Sequence, residues 1–276
     1  MRILVIGKGF VGDAMGWVLE KAHTVFYHDP AKNENYNLRQ VDTLDGVVLC
    51  LPTPADEEGF CDDSLVVEYY HKMRDLRKDL HIMIKSTTSI TTLNAFQCME
   101  DEYLTFSPEF LLASNARETL VTSRFFVYSG ISSKGAVFWS EALKPCVKYG
   151  DNAYFSDNML EAGFMKYGIN SFLATKVSFM NEMYDLFKSV TLGKGNFDNV
   201  AFLMSLDPRF GNSHTLVPGP DGEFGWGGAC FPKDTSEFYS LGEFYKHKLT
   251  ILGSAIEANK NHRSKDAIQK NPSNGK

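Results

Sequence analysis

The first 29 residues constrain the fold more than any other stretch of this chain. Arg2-Ile-Leu-Val-Ile6 is short, apolar and β-branched, which is the pattern of a strand buried on both faces. Gly7-Lys-Gly-Phe-Val-Gly12 follows with no spacer, and an amphipathic helix is predicted from about Asp13 to Lys21. A second strand, Thr24-Val-Phe-Tyr27, then leads to Asp29. A GxGxxG in isolation means little. Set between a strand and a helix, with an acid twenty residues after Gly9, it is the full dinucleotide fingerprint. Gly7 allows the tight turn, Gly9 lets a pyrophosphate reach the backbone at the helix N-terminus, and Gly12 lets helix and strand pack closely. A carboxylate at Asp29 binds ribose hydroxyls, which favours NAD over NADP. The competing reading is a tight strand-to-helix turn with no ligand.

The strand-and-helix alternation continues from there. Residues 30–45 are polar and short, and a strand Gly46-Val-Val-Leu-Cys-Leu51 then stops at Pro52-Thr53-Pro54. A helix is predicted from Asp62 to about Lys78, then a strand His81-Ile-Met-Ile-Lys85 ending in Ser86-Thr87-Thr88. After another helix, Tyr103-Leu-Thr-Phe106 ends in Ser107-Pro-Glu-Phe110. Phe125-Phe-Val-Tyr128 is expected to close the sheet, and Gly135 to Leu143 is the last helix of this half. Strands that end in small hydroxyl or Pro-rich residues can line a cofactor crevice at the carboxyl edge of a doubly wound sheet. They can equally be ordinary punctuation between strand and helix. The expected fold class is α/β, with a Rossmann-like dinucleotide domain over residues 1–150.

After Gly150 the alternation is expected to stop. Asn158 and Glu161 have the spacing of a capping box. From Met159 to about Val190 the chain reads as one helix, a rod of roughly 45 Å at about 1.5 Å per residue. It is apolar on most faces through Met165, Ile169, Phe172, Leu173, Phe179, Met180, Met183, Leu186 and Phe187, so it should be buried in a core or against a second subunit. Lys166 and Asn170 lie one turn apart on it and face the same way. Helices follow over about 196–206, 235–246 and 249–261, giving an α-helical second domain over 151–265 and a polar tail over 266–276. Between the first two of these runs Gly222-Glu-Phe-Gly-Trp-Gly-Gly-Ala-Cys-Phe-Pro-Lys-Asp234, where glycines crowd Cys230. A thiolate is the nucleophilic form of cysteine, and the nearby Lys233 favours it; Asp234 can accept a proton or orient water. The plainer reading is a glycine-rich surface loop with an inert cysteine.

Composition limits the function classes. A net charge of −6 over 276 residues disfavours nucleic acid or an anionic membrane as partner. Five widely spaced cysteines without a CxxC pair indicate a reducing, cytoplasmic setting with neither a disulfide framework nor a zinc site. No apolar run is long enough to span a bilayer. The N-terminus reads as a first strand rather than a signal peptide. The tail Asn271-Pro-Ser-Asn-Gly-Lys276 reads as disordered.

Taken in order, the motifs resemble the UDP-glucose/GDP-mannose dehydrogenase family, the NAD-dependent oxidases of sugar-nucleotide C6. The matching pieces are Gly7–Gly12, Leu51-Pro-Thr-Pro54, Lys85-Ser-Thr87, Ser107-Pro-Glu-Phe-Leu111, the helix from Phe164 through Glu182 with Lys166, Asn170 and Asn181, Asp207-Pro-Arg-Phe-Gly211, Gly225–Asp234, and Ile256-Glu-Ala-Asn259. The likeness covers residue 1 to about 265, on a two-domain plan like that of 6-phosphogluconate dehydrogenase. It implies that Cys230 attacks the C6 aldehyde left by a first hydride transfer, that the thiohemiacetal loses a second hydride, and that water hydrolyses the thioester. Lys166 and Asn170 would stabilise the oxyanion. Glu109, Thr87 and Asp234 would handle protons and the hydrolytic water. Gly7, Lys8, Gly9, Phe10, Val11, Gly12, Asp29, Pro52, Thr53, Ser86, Thr87 and Lys233 would hold NAD. Glu109, Phe110, Leu111, Lys166, Asn170, Arg209, Phe224, Gly225 and Gly227 would contact the nucleotide sugar, with UDP-glucose as first guess. A homodimer through helix 159–190 is implied as well, with no metal.

The sequence also departs from the family pattern. The stretch between Asp29 and Gly46 is shorter than usual, and a basic residue expected soon after the ribose acid is missing. Glu109 is followed by Phe-Leu-Leu-Ala113 where the family tends to have Phe-Leu-Arg-Glu, and Val217-Pro-Gly-Pro-Asp-Gly222 is an insertion. The further Rossmann-like domain that family members carry is not in these 276 residues. Three function classes follow: an active oxidase, a remnant keeping NAD binding and dimerisation or acting with a separate partner domain, and a β-hydroxyacid-type dehydrogenase on the same plan. The third needs the Lys/Asn helix but no cysteine, so Cys230 counts against it.

Overall fold

The structure is a computed structural model that describes residues 1–111 and 115–270, the last six as backbone alone. Leu112, Ala113 and Ser114, and the tail Asn271–Lys276, lie outside the described residues. The chain divides into two compact units, one of residues 1–56 with 61–166, the other of 57–60 with 167–276.

The first unit is built on β1 (Arg2–Ile6), α1 (Phe10–Leu19), β2 (Thr24–Asp29), β3 (Glu34–Asn35), β4 (Gly46–Leu49), α2 (Ser64–Leu76), β5 (His81–Ile84), α3 (Ile90–Cys98), β6 (Leu104–Phe106), α4 (Ala116–Val121), β7 (Phe126–Ser129), α5 (Ser133–Leu143) and β8 (Ala153–Ser156). Its strands form one sheet in the order β3-β2-β1-β4-β5-β6-β7-β8. The run β2-β1-β4-β5-β6 is parallel, whereas β3 joins β2 and β7 joins β6 antiparallel. Strand order reverses between β1 and β4, the switch point where doubly wound sheets bind ligands at their carboxyl edge.

Two strands add to those expected from the sequence. β8 pairs in parallel with β7, so the sheet is not closed by β7 and strand structure resumes after Gly150. β3 hides in a polar stretch that otherwise forms short 3₁₀ turns at Pro30–Lys32 and Leu38–Thr43. Both lie at the ends of the sheet order, where a strand needs no alternating apolar face. α1 begins at Phe10, three residues before its expected start, because Gly9 already serves as N-cap. Its buried Ala14, Met15, Val18 and Leu19 pack with Ile3 and Val5 of β1, Val48 of β4 and Trp139 of α5. Each such large side chain stabilises the fold by roughly 1.5–3 kcal/mol on burial.

α6 spans Met159–Val190, as the sequence suggests, and the division between the units falls inside it. The second unit adds α7 (Phe197–Ser205), α8 (Phe231–Phe244) and α9 (Thr250–Lys270). α8 starts four residues earlier than expected, directly after Cys230. Met180 of α6 packs with Phe197, Ala201 and Val217, while Ala174 and Val177 pack with Trp226. Of the two settings expected for α6, a core within this chain does not cover all of its apolar side chains: Phe172, Phe179 and Leu186 are 69%, 52% and 64% exposed. No helix among the described residues is long and apolar enough to cross a membrane.

Candidate functional site

The glycine turn has the geometry its spacing implies. Gly7 sits at φ +87°, and a side chain there would run into the carbonyl of Cys50 at the end of β4. A side chain at Gly12 would overlap the carbonyl of Gly7. At Gly9 an added Cβ meets nothing within 4 Å, so the space over the α1 N-terminus is open. The first backbone N–H groups of α1 lack intrahelical acceptors, which suits an anion. Lys8, Gly9, Phe10, Asp13, Lys32 and Glu34 line a cavity of about 520 Å³ at this point.

The end of β2 ties itself to that turn. Asp29 is half-buried, and its Oδ2 accepts the Lys8 N–H at 2.7 Å. The Lys8 ammonium stands 4.1 Å from the centre of the Tyr27 ring and pairs with Glu34 Oε1 at 2.5 Å. Lys32 Nζ donates to the Lys8 carbonyl oxygen. A basic residue therefore does follow the ribose acid, three positions on, contrary to the reading that it is missing; the one-turn 3₁₀ helix swings it back onto the loop. Open space over Gly9, unmet N–H groups and carboxylates on the rim fit a dinucleotide.

Farther along the sheet edge, Ser86 Oγ accepts the Leu51 N–H at 2.7 Å and donates to the Leu51 carbonyl at 2.8 Å, locking the ends of β4 and β5 together. Thr53 and Thr87 are buried beside Cys61, whose thiol lies 3.6 Å from the Thr87 carbonyl. The end of β6 carries Glu109. Its Oε2 accepts the Leu111 N–H at 2.7 Å, and its Oε1 lies 3.1 Å from Lys166 Nζ. Lys166 also donates to the Glu109 carbonyl at 2.5 Å and stands 5.1 Å from the Phe110 ring centre. With side chains 3% and 6% exposed, this pair is desolvated, so both charges depend on each other.

Lys85 stands in the motif Lys85-Ser-Thr87, but no role of its own follows from the sequence. It is 4% exposed, and its Nζ donates to Ser107 Oγ at 3.3 Å and to the Pro108 carbonyl at 3.2 Å. Burial pushes its ammonium down to about 8, against the opposing pull of Glu109. Burial drives the neighbouring Cys50 thiol up to about 12, which makes it inert. A lysine at a strand end gives no sequence signal of burial, since lysines are mostly solvated.

In the second unit Cys230 is the N-cap of α8 and is partly exposed. One turn on, Asp234 is wholly buried, and its N–H donates to the Cys230 carbonyl at 2.9 Å. Asn170 Nδ2 donates to Asp234 Oδ2, and Lys233 Nζ pairs with Oδ1, both at 2.5 Å. The loop before Cys230 is fixed by side chains of α6 and α9. Asn181 accepts the Gly225 N–H, and Asn259 both accepts the Trp226 N–H and donates to its carbonyl. The Trp226 indole donates to Ser178, and Lys176 donates to the Phe210 carbonyl at 2.9 Å. Gly222, Gly225 and Gly228 all take φ near +75°, a conformation this loop needs glycine for. Gly227 lies against the Arg263 guanidinium, and Phe224 packs on Tyr184. Arg209 is exposed and forks onto Asp207 of its own turn. None of the five cysteines is in a disulfide.

Residues 160–261, which carry Lys166, Asn170, Cys230 and Asp234, match the UDP-glucose/GDP-mannose dehydrogenase family, central domain. The chain is 30% identical over 238 residues to the UDP-glucose 6-dehydrogenase of Rickettsia typhi, covering 84% of this chain and 53% of that one. Residues 160–261 thus carry the central domain of the UDP-glucose/GDP-mannose dehydrogenase family. The chain spans about half the length of the curated relatives it matches. Among solved structures it is similar in fold to a UDP-glucose dehydrogenase from Pyrobaculum islandicum, with a TM-score of 0.77 at 22% identity over 94% of this chain and 68% of that one. A 3-hydroxyisobutyrate dehydrogenase from Mycobacterium tuberculosis is similar in fold too, at TM-score 0.71 and 16% identity, covering 95% of this chain and 94% of that one. The fold alone thus does not separate this family from the hydroxyacid enzymes.

Proposed function

We propose that this protein oxidises the C6 hydroxymethyl group of a nucleotide sugar to a carboxylate, with UDP-glucose as first candidate and NAD as cofactor. The observation that carries the reading is Cys230 at the N-terminus of α8, with the wholly buried Asp234 one turn behind it, held by Asn170 and Lys233. The partial positive charge of a helix N-terminus favours an anion there, which suits a thiolate nucleophile.

Gly7–Gly12 and Asp29 would hold the dinucleotide, and Pro52, Thr53, Ser86, Thr87 and Lys233 are assigned to it as well. When bound, the nicotinamide supplies the hydride acceptor for both oxidations. Cys230 Sγ adds to C6 at the aldehyde stage, and the C6 oxygen takes up the negative charge. Lys166 and Asn170 neutralise that oxygen. Loss of the C6 hydrogen leaves a thioester on Cys230. Asp234 draws a proton from water, the new C–O bond expels the thiolate, and Glu109 and Thr87 complete the proton transfers. Phe110, Leu111, Arg209, Phe224, Gly225 and Gly227 contact the nucleotide sugar. Per sugar, the alcohol gives up one hydride and its hydroxyl proton to reach the aldehyde, the thiohemiacetal gives up a second hydride, and one water is consumed.

Purified protein with NAD and a panel of UDP- and GDP-sugars tests this reading through NADH absorbance. Turnover on one of them is expected. Absence of turnover across the panel, with NAD bound by calorimetry, would contradict it.

A further inference from the structure

The cofactor reading rests on Asp29 alone as the acid that meets the ribose, but the structure brings a second carboxylate to the same rim. We propose that Glu34 is a specificity-determining residue that keeps a 2′-phosphorylated dinucleotide out by holding the Lys8 ammonium. This inference deepens the dinucleotide reading above and rests on it.

Asp29, Glu34, Lys8 and Lys32 meet around the Gly7–Gly9 turn, and Asp13, which lines the same cavity, is paired with Arg117. Asp29 is engaged with the Lys8 N–H at 2.7 Å. Lys32 is engaged with the Lys8 carbonyl. The Lys8 ammonium is pinned between the Tyr27 ring, 4.1 Å away, and Glu34 Oε1 at 2.5 Å. Lys8, Lys32 and Glu34 all line the cavity over Gly9. Sites that accept a 2′-phosphate do so with a cation at this place. Here two ammoniums stand at that place, and the carboxylate of Glu34 neutralises the one on Lys8. A phosphate entering would meet Glu34 as a like charge and would have to break an ion pair whose side chains are only 27% and 37% exposed. The ribose hydroxyls of NAD meet no such opposition, since a carboxylate accepts from them.

Glu34 reaches this position because β3 runs antiparallel to β2, with Glu34 directly opposite Asp29 in the register. That pairing puts the two acids on neighbouring strands at the mouth of the turn. A glutamate five residues past the ribose acid carries no signal of this in sequence; only the short return strand creates it.

The test is calorimetric and does not need turnover. Wild-type protein, Glu34→Gln and the double variant Glu34→Gln/Lys8→Met are titrated with NAD and with NADP. Wild type should bind NAD at least tenfold more tightly than NADP. Glu34→Gln should raise NADP affinity tenfold or more with NAD affinity changed less than threefold, and Lys8→Met added to it should abolish the gain. A Glu34→Gln protein whose NADP-to-NAD ratio stays within twofold of wild type overturns the proposal, as does a gain that survives removal of Lys8. Wild type that binds neither dinucleotide overturns the dinucleotide reading itself, and this proposal with it. Because Glu34 is partly exposed on a two-residue strand, thermal melts of the variants should match wild type and exclude misfolding as the cause.

Discussion

At the scale of single residues, the informative group is Lys85, which the motif Lys85-Ser-Thr87 contains without indicating its burial. Lys85 titrates near 8 in the folded protein and near 10.5 when unfolded. Between those values the unfolded chain holds a proton that the folded chain does not, so stability rises with pH there; below about 8 the full cost of the buried charge applies. Urea unfolding at pH 7.5 and 9.5 should therefore show a gain for wild type, roughly 2 kcal/mol relative to Lys85→Met, which lacks this titration. Equal gains in both proteins would show that Lys85 is not buried as a cation. Asp29, Cys230 and Asp234 can be singled out as candidates in the sequence because each stands inside a motif with a known chemical demand. The burial of Lys85 and the pairing of Glu34 opposite Asp29 cannot, because single positions in a sequence do not report burial or strand register.

At the scale of elements, the β1–α1 turn separates folding from binding. Gly12 is packed against the turn itself, whereas Gly9 faces open space. Gly12→Ala should lower the melting temperature, by an overpacking cost of about 1–3 kcal/mol. Gly9→Ala should melt like wild type yet bind NAD at least tenfold more weakly, because its methyl fills the space a pyrophosphate needs. Melting curves and calorimetry on the two variants check both statements; loss of stability in Gly9→Ala would break the distinction. The strands of the sheet interior were readable from their apolar runs. β3 has two polar residues, and β8 is Ala-Tyr-Phe-Ser with only Ser156 half-buried, so neither carries the burial pattern that sequence reading depends on. The start of α8 was misplaced because Pro232 and Lys233 resemble loop residues, whereas proline in the first helical turn is favourable.

At the scale of the whole molecule, the exposed face of α6 bears on assembly. Phe172, Phe179 and Leu186 recur every seven residues, a repeat suited to packing against another helix, and all three are exposed. We propose that this face joins two copies of the chain. Light scattering should report a dimer for wild type and a monomer for Phe179→Asp; a wild-type monomer at micromolar concentration would contradict it. The central claim remains the covalent role of Cys230, and product stoichiometry tests it most directly. NADH formed per sugar consumed should be two for wild type. Cys230→Ser should stall after the aldehyde is made or release no product acid. A Cys230→Ser protein that still yields two NADH and the uronate at the wild-type rate would show that the oxidation does not pass through Cys230.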